Sequence, residues 1–433
     1  MLNHNRMRKA AGNTSIYTGA NGFHPIDYIK ITILGFGLTA LWSSLQSIII
    51  PLRLLDFVPE ALKNTYLGYL TFAGLILAMV IQPIAGAISD RSGFNWGRRR
   101  PYILLGITLA LLFLPGIGFA TGYAVILATY CLMQIACNTA QGPYQGFIPD
   151  LVPEGKRGLA SGVKSLLEIL GGFTLIRLIA YFMGHYLTGE GDSWLWLSLG
   201  TLAIVLLGTM LTTVLVVKER PGAGGSRLPL LPTLYRIFRV DVKANRDFIW
   251  FLASRLLMSI PGVTLQTFAL YYLMDVVGVT DPAAVTADLL IVVGVCLLAT
   301  VYPIGRLSDR IGRKPILISS GLLGALGVVV LFFSQSYMHI IVCGALIGIA
   351  NGAFMSTSWA LATDLATEGE EARYLGLANL ALAGGSALAR LIGPVIDFFN
   401  SRSPNLGYSV MLLLCFVCSV AGSLLLLKIK GRG

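Results

Sequence analysis

The chain has 433 residues, 55% hydrophobic and only 12% charged, with a formal net charge of +11 and a mean hydropathy of +0.75. Soluble domains carry about 25% charged residues, so this composition excludes a water-soluble enzyme. The positive balance reads as basic loops held on one side of a membrane, not as a nucleic-acid-binding surface.

Apolar runs recur along the whole chain, each long enough to cross roughly 30 Å of hydrocarbon as a helix. They lack the two-residue alternation of barrel strands. Residues 1–27 form a polar N-terminal tail with no immediate apolar stretch, so a cleaved signal peptide is not expected. Twelve spans are predicted over 28–52, 65–89, 101–121, 123–149, 158–187, 194–217, 247–274, 284–307, 315–334, 337–363, 374–399 and 407–428. The longest polar segment, 218–246, contains Pro221-Gly222-Ala223-Gly224-Gly225-Ser226, a flexible linker composition. It divides the chain into six-span halves at 28–217 and 247–428, followed by a short C-terminal tail at 429–433. The predicted fold class is therefore an all-α membrane protein of twelve transmembrane helices in two six-helix bundles. With the N-terminus inside, 25 of the 32 Lys and Arg residues fall on the inner side. Arg53, Lys63 and Arg402 lie outside, and Lys164, Arg177, Arg255 and Arg390 lie deeper within spans, with Lys30, Arg306 and Lys428 at inner span ends counted to the inner side. This asymmetry predicts both termini on the cytoplasmic face of a plasma (inner) membrane. The six cysteines all fall in apolar runs and read as reduced, packed thiols.

Between spans 2 and 3 lies GAISDRSGFNWGRRRPYILL, from Gly86 to Leu105. A related segment, GRLSDRIGRKPIL, runs from Gly305 to Leu317 between spans 8 and 9. Asp90 and Asp309 are 219 residues apart. A second pair, beginning at Asp150 and Asp364, repeats at an offset of 214. Two motif pairs at nearly equal offsets indicate an internal duplication. The repeated positions Gly86, Asp90, Arg91, Arg98, Arg99, Gly305, Asp309, Arg310, Arg313 and Asp364 are the candidate gating residues.

These paired loops resemble the signature loop of major facilitator transporters, whose two parallel halves surround a central cavity. More narrowly, Ile81-Gln82-Pro83, Trp96-Gly97-Arg98-Arg99-Arg100-Pro101-Tyr102, Gln141-Gly142-Pro143-Tyr144, and Trp42 with Gln46 are similar to the glycoside–pentoside–hexuronide and sucrose-transporter branch. The resemblance implies that Asp90 and Asp309 cap or pair with a facing helix end when the cytoplasmic side is closed. It also shows a departure. Where sodium-linked members carry paired aspartates, this chain has Ala78 and Gln82, which argues against sodium. Sucrose-type carriers, which the resemblance links to protons, have an acidic residue that aligns with Asp150.

Ionisable groups inside spans are expensive and therefore functional candidates. Lys164 and Glu168 are one turn apart and read either as a proton-coupling pair or as a structural ion pair. Arg177 projects away from Glu168. Gln134, Asn138, Gln141 and Gln145 form one face of span 4, and carboxamides offer sugar hydroxyls both donors and acceptors. Arg255 and Gln266 on span 7, and Asn379 and Arg390 on span 11, extend the candidate substrate site, with Asp397 on the same stripe as Arg390. Gln46, Asn351 and Trp359 complete it. Asp150 reads either as the proton carrier or as a gate residue matching Asp364, each bonding loop arginines such as Arg157 and Arg373.

No phosphate-binding G-x-x-x-x-G-K-[ST] run occurs, and the four histidines have no metal spacing. No catalytic residue, metal or cofactor is expected. The expected partners are a small-molecule substrate, protons and membrane lipids, without nucleic acid, in a monomer. The favoured function is secondary active transport by alternating access, as proton-coupled symport of a sugar or glycoside. An exporter or carrier of another small solute or drug is one alternative. A non-transporting receptor or scaffold is the other, and two intact loop motifs argue against it.

Overall fold

The computed structural model describes residues 23–219, 246–334, 336–366 and 371–429. The linker and both tail ends read from the sequence therefore lie mostly outside the described residues. Within them are twelve helices long and apolar enough to span a membrane. In the first half they are α1 (Pro25–Leu54), α2 (Glu60–Asp90), α3 (Arg100–Gly118), α4 (Tyr123–Leu151), α5 (Glu154–Leu187) and α6 (Ser193–Val216). In the second half they are α7 (Arg246–Val277), α8 (Pro282–Ile311), α9 (Arg313–Phe332), α10 (Tyr337–Asp364), α11 (Tyr374–Asn400) and α12 (Leu406–Leu427). Exposed Leu112, Ile204 and Leu215 give the outer surface the apolar character that lipid requires.

The packing repeats as the sequence does. In the first half α1 packs on α5 and α6, and α4 on α2 and α3; in the second, α7 packs on α11 and α12, and α10 on α8 and α9. Adding six to each label converts one set into the other. The two halves meet through α2 with α11 and α5 with α8, which are again equivalent pairs.

Two local features position the site. At Gly142 a Cβ would collide with the Gln82 carbonyl, so α4 approaches α2 closely only because that residue is glycine. Helix α11 is interrupted at residues 391–392, between segments ending at Arg390 and beginning at Gly393.

Candidate functional site

A cavity of about 160 Å³ lies among α1, α2, α4 and α11. Trp42 and Gln46 enter from α1, and Thr71, Leu75, Ala78 and Gln82 from α2. Gln134, Asn138 and Gln141 enter from α4, and Arg390 from α11. The four-and-three spacing of the α4 residues puts them on one helix face. The buried Tyr130 hydroxyl accepts hydrogen bonds from Gln46 Nε2 at 3.0 Å and Gln134 Nε2 at 3.1 Å. Asn138 Nδ2 donates to Gln134 Oε1 at 3.1 Å. These bonds fix one wall. Gln82 and Gln141 make no side-chain hydrogen bond to another described residue, so their carboxamides are available to a ligand. Arg390 donates from Nη1 to the Ser386 carbonyl at 2.9 Å, while its Nε is buried without a partner. Arg390 is the only charged group among the lining residues.

The other expected substrate residues are not at this cavity. Gln145, one turn beyond Gln141 on α4, is exposed and does not line it. Gln266 and Asn379 are exposed as well and line no described cavity. Arg255 is buried in the second half, donating to Ser358 Oγ at 2.7 Å and lying 4.7 Å from the Trp359 ring centre. Asn351 lines a separate cavity of about 30 Å³ facing Gly262. One stripe per helix could not reveal this division, because both halves carry polar stripes and only packing shows which of them converge. Conversely, Trp42, Thr71 and Gln82 are lining residues that sequence reasoning did not assign to the site. The available signal was the i, i+4 pairing of Trp42 with Gln46 and of Ala78 with Gln82.

Lys164 and Glu168 are 3.7 Å apart and away from the cavity lining. Lys164 Nζ lies 5.1 Å from the Tyr144 ring centre. The Tyr144 hydroxyl donates to the Thr32 carbonyl at 2.8 Å and accepts from the Gly35 amide at 3.1 Å, tying α4 to α1.

At the end carrying the basic loops, each half forms its own charge triad. Arg99 pairs with Asp90 at 2.8 Å and with Asp150 at 2.5 Å, and Arg98 also reaches Asp150 at 2.5 Å. Arg313 pairs with Asp364 at 2.8 Å and with Asp309 at 3.9 Å. Arg157 instead donates to the Pro149 and Val152 carbonyls, and the Arg373 side chain lies outside the described residues. Gly86 packs beside Gly142, whereas Gly305 faces open space. Arg91 and Arg310 are exposed. The helix-end contact expected of Asp90 belongs to the state closed at the basic end, whereas this structure is closed at the other. Asp90 bonds Arg99, while Glu219 Oε2 accepts from the amides of Arg99 at 3.1 Å and Arg100 at 3.0 Å, at the N-terminus of α3. Burial pushes the Glu219 carboxyl above the usual range, against the opposing pull of those amides and arginines. Burial works against the Arg98 guanidinium, but the hydrogen bond and charge of Asp150, with Asp90 and Glu219 behind, outweigh it and raise its pKa.

At the opposite end the bonds run between halves. Lys63 pairs with Asp275 at 2.7 Å, and Arg177 with Asp288 at 3.2 Å. Asp397 accepts from Asn64 Nδ2 at 2.9 Å and from the Thr65 amide at 2.6 Å. Tyr271 donates to the Pro51 carbonyl at 2.7 Å, and within the second half Tyr408 braces Asp275 by donating to it at 2.6 Å. In the carboxylate contacts that cross between halves, the first half supplies the cations and donors and the second half the carboxylates. The molecule is thus closed at this end, whereas the triads at the basic end each stay within one half.

Residues 38–428 match the family described as MFS/sugar transport protein. Among curated proteins, the chain is 23% identical to the sucrose transport protein SUT5 of Oryza sativa subsp. indica, over 99% of this chain and 93% of that one. It is 32% identical to the sucrose transport protein SUT1 of Oryza sativa subsp. japonica over 124 residues, a match spanning 24% of this chain and only 23% of the relative. The crystal structure of a D-xylose-proton symporter superposes with a TM-score of 0.70 at 18% identity, covering 94% of this chain and 99% of the other.

Proposed function

From the premise that the chain belongs to the MFS/sugar transport protein family, a transporter in twelve membrane-spanning helices, we propose that it carries out proton-coupled symport of a sugar or glycoside. The observation that carries this reading is the cavity at the junction of the halves, whose wall is carboxamide and indole with one guanidinium. Carboxamides present a donor and an acceptor to each sugar hydroxyl, and Trp42 offers a flat apolar face to a pyranose ring. The lining contains no carboxylate, so it holds no hard anionic ligand for sodium.

Alternating access moves the halves about this cavity. With the basic loops and both termini cytoplasmic, as the positive-inside rule favours, the closed end faces outward and the triads Asp90–Arg99–Asp150 and Asp309–Arg313–Asp364 belong to the inner gate. Asp150, clamped by two guanidinium groups, suits that gate. Glu168 beside Lys164 is the better carrier of the coupled proton, since a pair at 3.7 Å exchanges partners with little rearrangement. The working unit is a monomer in the plasma (inner) membrane.

Uptake of labelled sucrose and other disaccharides into proteoliposomes under an imposed pH gradient tests this reading. The expected result is accumulation when the outside is acidic, abolished by a protonophore, with a raised KM in Trp42→Ala. Absence of accumulation for every sugar, or uptake indifferent to the gradient, would overturn it.

A further inference from the structure

The closed end has four carboxylates from the second half facing the first: Asp275, Asp281, Asp288 and Asp397. Asp281, beside Gly184 and only partly buried, caps the Ala284 amide at the start of α8. Asp275 is paired with Lys63 and Asp288 with Arg177. Asp397 differs. It is only 4% exposed, and among the described residues it has no cation within ion-pair distance. Its two contacts with α2 are neutral donors, Asn64 Nδ2 to one oxygen and the Thr65 amide to the other. The groups around it are Asn64 and Thr65 on α2 and Tyr408 on α12, whose hydroxyl is committed to Asp275. Tyr271 on α7 is bonded to the Pro51 carbonyl, and Lys63 is shared between Asp275 and, at 3.9 Å, Glu60.

Asp397 also sits on a mechanical connection. The break at residues 391–392 separates it from Arg390, the cavity's cation. Helix α2 touches α11 on both sides of that break. Gly68 backs onto the Arg390 carbonyl, and Gly393 backs onto the Asn64 carbonyl. The same stretch of α2 therefore holds Asp397 and the backbone that carries Arg390.

We propose that Asp397 is a proton-binding site that latches the closed end, and that its protonation releases α2 from α11 and withdraws Arg390 from the cavity. A proton on the carboxyl cancels a buried charge and converts one of two acceptor oxygens into a donor. That oxygen then faces an N–H group it formerly accepted from, so one of the two hydrogen bonds to α2 is lost. The surface joining the halves loses its grip at the point where α11 is already broken. Asp397 acts as a positioning residue for Arg390. The inference rests on the alternating-access reading of the family.

Hydrogen exchange of the full chain in lipid nanodiscs, read from mildly alkaline to mildly acidic pH and corrected for intrinsic rates, tests it. Peptides covering residues 57–66 and 391–402 should lose protection on acidification, approaching about tenfold per pH unit where one proton is linked to opening. Asp397→Asn should abolish that dependence. Asp275→Asn, which breaks a neighbouring ion pair, should lower protection at every pH but keep the dependence. If Asp397→Asn does not fold, infrared difference spectra between the two pH extremes serve on the wild type and Asp275→Asn. A carboxylic-acid band that is present in both and persists in Glu168→Gln, which removes the other carboxyl assigned a proton, supports the inference, and its absence from any of the three overturns it. Protection indifferent to pH, or a response that survives in Asp397→Asn, also overturns it. Gradient-driven sugar accumulation alongside a pH-insensitive closed end would sink the latch and leave the symport reading standing. A pH-sensitive closed end without accumulation would do the reverse.

Discussion

The Tyr130 hydroxyl accepts from Gln46 on α1 and from Gln134 on α4, while Asn138 braces Gln134 in turn. One phenol thereby sets the orientation of two carboxamides on different helices, and the Trp42 ring leans edge-on against it with centroids 5.8 Å apart. Replacing it tests whether that wall binds substrate. Tyr130→Phe leaves two amide donors without their acceptor at an expected penalty of about 1–3 kcal/mol. The KM for the transported sugar should rise about tenfold, which corresponds to about 1.4 kcal/mol, with little loss of maximal rate. Measured transport kinetics in proteoliposomes check this, and an unchanged KM would remove the wall from the binding site. At this scale the sequence was informative where polar residues recur on one helix. Gln134, Asn138 and Gln141 were legible as a stripe, but the role of Tyr130 was not. An aromatic residue in an apolar run reads as packing until its hydroxyl is seen to have partners 84 and four residues away.

The start of α3 shows how an element's end can be completed from a distance. Its first amides face a carboxylate that comes not from the preceding loop but from Glu219, 120 residues later than Arg99 in the chain. A helix N-terminus favours an anion there, yet burial keeps the Glu219 carboxyl above the ordinary glutamate range. The sign of the linkage follows. A carboxyl whose pKa is raised in the folded state contributes stability below its unfolded pKa and loses it as pH climbs through the raised value. Melting temperature should therefore decline modestly as pH rises just above the usual glutamate range, and Glu219→Gln should flatten that segment of the curve. A thermal-shift series across weakly acidic pH reads this directly; an identical slope in both proteins would contradict it. At the same scale, Gly142 is required by contact with the Gln82 carbonyl, whereas Gly305 faces open space. Sequence repetition marked Gly86 and Gly305 as equivalent, but their surroundings in this conformation are not.

Across the whole molecule, charge is arranged differently at the two ends. The basic end carries triads confined to each half, and the other end carries cation–carboxylate pairs that join the halves. The Lys63–Asp275 pair is mostly buried and costly to break singly, while Arg177–Asp288 is solvent-exposed and adds less; with the neutral bonds to Asp397, they hold the non-basic end closed together. Orientation in the membrane is directly measurable. In vesicles of known sidedness, a membrane-impermeant maleimide should label Gly122→Cys only from outside and Gly93→Cys only from inside. The reverse pattern would invert the assignment of gates. The sequence alone determined the twelve helices, their division into halves and the internal duplication, because hydrophobic length and repeated loops are properties of contiguous residues. Only the tertiary structure decided which polar stripes share a cavity, that Glu219 meets the start of α3, and that Lys63, Asn64, Asp275 and Asp397 form the closed end. Those contacts join residues up to 333 positions apart, and no local periodicity encodes a pairing made across two independently packed bundles.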